Sequence, residues 1–366
     1  MTEIKNQQPV LALGLMSGTS MDGVDAALLW TDGEGIADPR GTLSISYDKR
    51  VSGALRATVA RAEMLPGVDA VEREMTLAHA AAVDALLRQE DLLPEAVRII
   101  GFHGQTILHR PEAGLTWQIG DGALLAVATE IDVVSDFRTA DVDAGGEGAP
   151  LVPVFHAALA THEPRPVAFL NIGGVANVTW VGPSGALVAF DTGPGNAMID
   201  DWCLSQTGEP LDTDGRLAAA GTVDDAVLSA MLDNPYFDRK PPKSLDRNAF
   251  LSASVSSLSP ADGAATLAAF TAHAVARAAR HFPAPPERWL VCGGGRHNPF
   301  LMAMLAETLQ EPVLPVESAG WNGDALEAQA FAYLAVRSLR GLPLTFPSTT
   351  GVPNPIAGGR LDRALL

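Results

Sequence analysis

The chain has 366 residues, 47% hydrophobic and 19% charged, a formal net charge of −18 and no Lys/Arg run. This length favours two domains, and the balance of residues is that of a globular chain, not a disordered one. The acidic balance excludes nucleic acid or an anionic membrane as the main partner, because both reward clustered basic residues. Residues 1–8 are polar and lack the shape of a signal peptide, and no stretch approaches the ~20 apolar residues of a spanning helix. Cys203 and Cys292 stand far apart in apolar segments and read as two free thiols of a reducing cytoplasm.

In chain order, the apolar runs Val10 to Met16 and Val24 to Trp30 flank a Gly/Ser/Asp turn and predict a β-hairpin. Thr42 to Tyr47 alternates as a third strand, and residues 52–64 and 70–90 carry helical spacing. A buried strand follows at Val97 to Phe102, then a helix over Asp121 to Ile131 and a short strand at Val133-Val134. The pattern then restarts about 160 residues on, with a hairpin over Val167 to Val181, a strand over Leu187 to Phe190 and a helix over Gly195 to Ser205. Residues 233–262 read as a long surface excursion. Beyond it come a helix over Ala264 to Ala279, a strand over Trp289 to Cys292, helices over Pro299 to Leu309 and Asp324 to Leu339, and a tail of loop. Alternating strands and helices predict an α/β fold, and the restart predicts an internal duplication.

Three glycine-rich turns carry the chemistry. Gly18-Thr19-Ser20-Met21-Asp22-Gly23 tips the first hairpin: glycines let amides converge on an anion, hydroxyls add donors, and Asp22 suits Mg²⁺. The same residues also suit a plain polar turn. Asn171 to Asn177, with Gly173-Gly174 at its tip, stands in the corresponding place of the second unit, and two such tips suit a polyphosphate. Gly293-Gly294-Gly295 after a strand suits a nucleobase or ribose, or a tight turn. Asp191, at a strand's carboxyl end, suits a general base or a turn residue. In the connector 136–150, Asp141, Asp143 and Gly146 briefly mimic a calcium loop, but Val152 stands where that loop needs Glu. His103, His109 and His156 show no metal-ligand spacing and read as hydrogen-bonding structural residues.

Taken together, Gly14 to Asp25, Phe102 to Thr106, Asp136 to Arg138, Gly145 to Leu151, Asn171 to Asn177, Asp191 to Asn196, Gly293 to Asn298 and Gly323 to Ala328 resemble the blocks of the anhydro-N-acetylmuramic acid kinase family, in order. The resemblance covers nearly the whole chain. It implies an α/β fold of duplicated ribonuclease-H-like (actin-like) domains with an interdomain cleft, divided into lobes at 1–135 plus about 345–366 and at 136–344. It implies an ATP- and Mg²⁺-using cytoplasmic enzyme, a homodimer, that opens the 1,6-anhydro bridge of anhydro-N-acetylmuramic acid and phosphorylates the 6-oxygen in peptidoglycan recycling. Carried onto this sequence, Asp191 is the base, and Ser17, Gly18, Thr19, Ser20, Met21, Asp22, Gly23, Gly173, Gly174 and Asn177 hold phosphates, with Asp22 near the metal. Gly293 and Gly294 lie against the nucleoside, and Arg138, Glu147 and Glu327 lie near the anhydrosugar. The alternatives are another sugar kinase of this architecture and an ATPase switch like actin or its chaperone relatives.

Overall fold

A computed structural model of the chain describes residues 8–18, 21–59, 68–245, 250 and 255–364. The chain forms two compact units, Met1–Thr161 with Ala325–Leu366, and His162–Asp324. The first unit opens with strands β1 (Val10–Met16), β2 (Gly23–Thr31) and β3 (Ala37–Ser46) and helices α1 (Lys49–Val59) and α2 (Val68–Gln89). It continues with β4 (Ile99–Phe102), β5 (Gln105–Arg110), β6 (Leu115–Ile119), α3 (Gly122–Thr129), β7 (Val133–Ser135), α4 (Thr139–Asp143) and α5 (Pro153–Leu159). The second unit holds β8 (Val167–Ile172), β9 (Val175–Val181), β10 (Leu187–Pro194), α6 (Ala197–Thr207), α7 (Arg216–Ala219), α8 (Asp225–Leu232) and α9 (Pro260–Ala278). It closes with β11 (Arg288–Cys292), α10 (Pro299–Thr308) and β12 (Val313–Pro315). The chain then returns to the first unit as α11 (Leu326–Leu339) and β13 (Arg360–Asp362).

The two main sheets share one topology. The first runs β13-β7-β4-β1-β2-β3 and the second β10-β9-β8-β11-β12. In each, the hairpin pairs antiparallel with itself and with the third strand, whereas β4 and then β7, or β11 and then β12, follow the first strand in parallel; the first sheet adds β13 antiparallel at its edge. That is the ribonuclease-H-like order, and its repetition is the duplication that the restart in the sequence predicts.

Strand periodicity sorts the residues of β1. Leu13 and Leu15 turn to the core beneath α2 with Met75, Val83, Leu86 and Phe102. Gly14 turns to the other face, where Ala328 of α11 lies, and it pairs in register with Gly101 of β4. A Cβ on Gly14 would overlap the Ala328 carbonyl, and one on Gly101 would overlap that of Phe331. Paired glycines therefore let α11 lie flat on the sheet. This packing is why the compact unit reclaims 325–339, which the sequence reading assigned to the other lobe together with 136–161.

In the second unit, Ala168, Leu170 and Ile172 of β8 face a core built on α9. Its Ala264, Ala265, Ala268, Ala269 and Ala272 are buried, and their small size lets α6, α7, α8 and α10 approach. Ser259 caps α9 by accepting from the Asp262 amide at 3.1 Å, and fully burying Leu267 and Phe270 adds roughly 2–3 kcal/mol each. The described residues of 233–262 do not form a surface excursion: Tyr236, Phe237, Lys243 and Val255 are buried, and Phe250 packs on Phe237 and Phe270. Aromatic side chains spaced among prolines and serines pin it to the core. Expected helix residues 60–64 lie outside the described residues. No helix among the described residues is long and apolar enough to cross a membrane.

Candidate active site

In the first unit the β1–β2 tip is held by side chains. Ser17 is buried; its hydroxyl donates to Gln105 Oε1 at 2.8 Å and accepts from the Tyr47 hydroxyl at 3.0 Å. The Tyr47 amide donates to the Asp22 carbonyl at 2.8 Å. Burial pushes the Tyr47 phenol up, against the Ser17 hydrogen bond, and the charges of Asp22 and Asp25 add to the rise. Ser17 thus fixes the tip from inside. Met21 adopts a positive φ of 52° after its amide donates to the Gly18 carbonyl, and Gly23 has no room for a Cβ beside the Ile45 carbonyl. Asp22 is exposed at the tip. Thr19 and Ser20 lie outside the described residues.

The segment after β4 ties this tip to the 136–150 connector. His103 Nδ1 lies 2.8 Å from the Gly104 carbonyl, so Nδ1 carries the proton and Nε2 accepts from Arg138 at 3.0 Å. Burial, then the Arg138 charge, holds His103 well below its ordinary value and keeps it a neutral acceptor. Arg138 also donates to the Gly148 carbonyl at 2.8 Å. Asp141 is buried with both oxygens engaged, accepting from the Gly148 amide and the Thr350 hydroxyl at 2.6 Å each. The Glu147 amide donates to the Thr350 carbonyl at 2.7 Å. The calcium-like spacing is therefore a helix, α4, whose aspartate anchors the loop. Glu327 sits in the first turn of α11, one turn before Phe331, whose ring packs on His103 and Phe137 at 4.7 and 5.3 Å between centroids. Helical spacing puts Glu327 on the Phe331 face of α11.

In the second unit the candidate residues gather at the carboxyl ends of β8 and β11. The amides of Gly195 and Asn196 donate to the carbonyls of Gly174 and Gly173 at 2.9 and 2.7 Å, docking the 193–197 turn on the hairpin tip. Asn177 pairs in register with Asp191, which precedes a bulge in β10. Gly293 adopts φ +75°, and a Cβ there would meet the Ile172 carbonyl and the Asn171 side chain. Gly294 has room for a Cβ, which would make only ordinary contact with Asn196 Nδ2 at 3.7 Å. Arg296 fastens this turn, donating to the Gly293 carbonyl at 3.0 Å and pairing with Glu317 and Asp324 at 2.9 Å each.

Asp191 is itself clamped. Its Oδ2 accepts from the Leu245 amide at 2.8 Å, its amide donates to the Lys243 carbonyl at 3.0 Å, and its carbonyl accepts from the Tyr236 hydroxyl at 2.6 Å. Sequence reasoning passed over Tyr236, Lys243, Tyr47 and Gln105 as parts of the site. Gln105, inside the Phe102 to Thr106 block, and Lys243, in the Lys243-Ser244 pair that also resembles the family, carried the signal there was.

Two ribonuclease-H-like sheets that share the order of five strands, each with a polar or glycine hairpin tip at its carboxyl edge, define an α/β protein of the actin-like class. The model of the family described as anhydro-N-acetylmuramic acid kinase matches residues 10–361. The chain is 56% identical over 361 residues to the anhydro-N-acetylmuramic acid kinase of Rhizorhabdus wittichii, covering 97% of this chain and 99% of that one. It is 56% identical over 354 residues to that of Paramagnetospirillum magneticum, covering 96% and 99%. Among solved structures, the activator of the 2-hydroxyisocaproyl-CoA dehydratase from Clostridium difficile is similar at 12% identity and a TM-score of 0.47, covering 90% of this chain and 96% of that one. The chain belongs to the anhydro-N-acetylmuramic acid kinase family and is an enzyme, a kinase.

Proposed function

We propose that the enzyme opens 1,6-anhydro-N-acetylmuramic acid with water and phosphorylates the freed 6-oxygen from ATP, giving N-acetylmuramic acid 6-phosphate. Asp191, clamped on β10 opposite Asn177 in the sheet whose β8–β9 tip carries Gly173 and Gly174, carries this reading. The carboxylate takes a proton from a water that attacks the anomeric carbon opposite the bridge. The bond from that carbon to the 6-oxygen breaks, its electron pair stays on the oxygen, and the oxygen attacks the terminal phosphorus as ADP departs. One carboxylate suffices, in the inverting manner, because phosphorus captures the leaving oxygen and no separate acid is required.

The remaining residues position and neutralise, which is most of what phosphoryl transfer asks. The Ser17 to Gly23 tip and the Gly173-Gly174 tip serve the phosphates with amides, and Asn177 adds a side chain. Gly293 and Gly294 serve the nucleoside, where a residue without a Cβ lets a flat ring approach the backbone. Arg138, Glu147 and Glu327 serve the sugar. An exposed carboxylate fits a hard cation, so Asp22 would hold Mg²⁺, which neutralises phosphate charge when bound. The family resemblance also supports a cytoplasmic homodimer.

The test is ATP turnover with and without the anhydrosugar. Turnover that depends on the sugar and yields its 6-phosphate supports the reading. Equal ATP hydrolysis without sugar supports the ATPase-switch alternative and defeats it.

A further inference from the structure

Lysine is almost never fully buried unless its charge is answered. Lys243 is only 2% exposed. Its ammonium donates to the Tyr236 carbonyl at 2.9 Å and lies 4.4 Å from the Tyr236 ring centroid and 5.6 Å from that of Phe190. Carbonyl and ring faces answer part of a buried cation's need. The carboxylates whose charge acts on it are Asp238 and Asp191. Asp238 is exposed, where water screens it, whereas Asp191 is half-buried and sits beside Lys243 through the 191–243 backbone hydrogen bond. Burial pushes the ammonium down to about 8, helped by Arg239 and opposed by Asp238 and Asp191. A methionine would fill the same space without the desolvation cost, so packing alone does not account for a lysine here.

We propose that Lys243 is a positioning residue for Asp191, its buried ammonium keeping the Asp191 carboxylate ionised for its work on water. The proposal rests on the assignment of Asp191 as the base. The cation stabilises the charged carboxylate and so extends its useful range to lower pH. Tyr236 links the two groups, donating its hydroxyl to the Asp191 carbonyl and offering its own carbonyl and ring to Lys243. Among the described residues, the other charged or titratable groups of this corner are Asp238, Arg239 and Lys240 after α8, His273 and Arg277 on α9, and His281 beyond it; β9 carries none.

The experiment is the pH profile of kcat/KM for Lys243→Met, Lys243→Gln and Lys243→Arg, with folding checked by thermal melting. Every other group of the corner remains in each variant, so a displaced limb reports Lys243. Both neutral variants are expected to raise the acidic limb by about one pH unit, with about a tenfold loss below it and near-normal rates above it. Lys243→Arg keeps the charge and returns the limb to the wild-type position. Folded neutral variants whose limb coincides with wild type, or whose deficit is the same at every pH, overturn the proposal. So does failure of both neutral variants to fold, which makes the lysine structural. Asp191→Asn, measured alongside, separates the readings. If it retains turnover, the base assignment itself fails; if it is inactive while the limbs coincide, only the role of Lys243 fails.

Discussion

The β1–β2 and β8–β9 hairpins occupy the same place in their sheets, yet different physics holds each tip. In the first unit a buried hydroxyl, Ser17, joins Gln105 and Tyr47, and a neutral His103 steadies Arg138 nearby. In the second unit backbone docks on backbone: carbonyls of Gly173 and Gly174 receive amides from 195–197, and Gly293 closes against Ile172. The titratable groups divide in the same way. His79, His103, His109 and His156, all pushed down with burial the largest cause, belong to the first unit, whereas the second holds Lys243 beside Asp191. Duplication supplied one corner twice. The first became a polar scaffold around a buried hydroxyl, and the second a close backbone cradle with a clamped carboxylate.

Acid should break the comparison most strongly. His79 and His109 fall to about 4 and His156 to about 3, below the unfolded value near 6.5, so the unfolded chain binds more protons between those limits. Stability is then present above about pH 6.5 and lost as pH falls toward 4, at up to about 1.4 kcal/mol per pH unit for each histidine and least at half-buried His109. Urea unfolding at pH 7.5 and pH 5 checks this, and hydrogen exchange should rise in α2 before α9. Equal stability at both values would contradict it.

On the chemical side, Asp191→Asn should lower turnover by at least ~100-fold, the low end for a general base, with both ligands still bound by calorimetry. Ser17→Ala strands the buried Gln105 and Tyr47 groups and should cost about 1–3 kcal/mol in unfolding, with no counterpart in the second tip. Gly293→Ala meets backbone at positive φ and should cost about 1–2 kcal/mol. Gly294→Ala meets nothing closer than 3.7 Å, so its stability should stay within ~0.5 kcal/mol, and a higher KM for ATP would then report the nucleotide alone.

Much of this was legible in the sequence. Long apolar runs bounded by Gly/Ser/Asp turns located both hairpins, β4, β11 and α11, and the restart predicted the duplication. Edge strands β12 and β13 have three residues each, too few for alternation to register. The α5 run, Pro-Val-Phe-His-Ala-Ala-Leu, is buried on most sides and so lacks an amphipathic period. The burial of Lys243 against the rings of Phe190 and Tyr236 is a tertiary contact that no local pattern in the proline-rich 233–262 stretch encodes. For the same reason Ser17, read as a phosphate donor, gave no sign that Gln105 engages its hydroxyl 88 positions away.

The central claim is that water, activated by Asp191, attacks the anomeric carbon opposite the bridge. Proton NMR of the product in its first moments, before the anomers equilibrate, reads this directly. The account predicts that the new hydroxyl at that carbon first appears on the face opposite the departed 6-oxygen. A first product with the hydroxyl on the bridge's own face would mean retention through a covalent intermediate, and would contradict it.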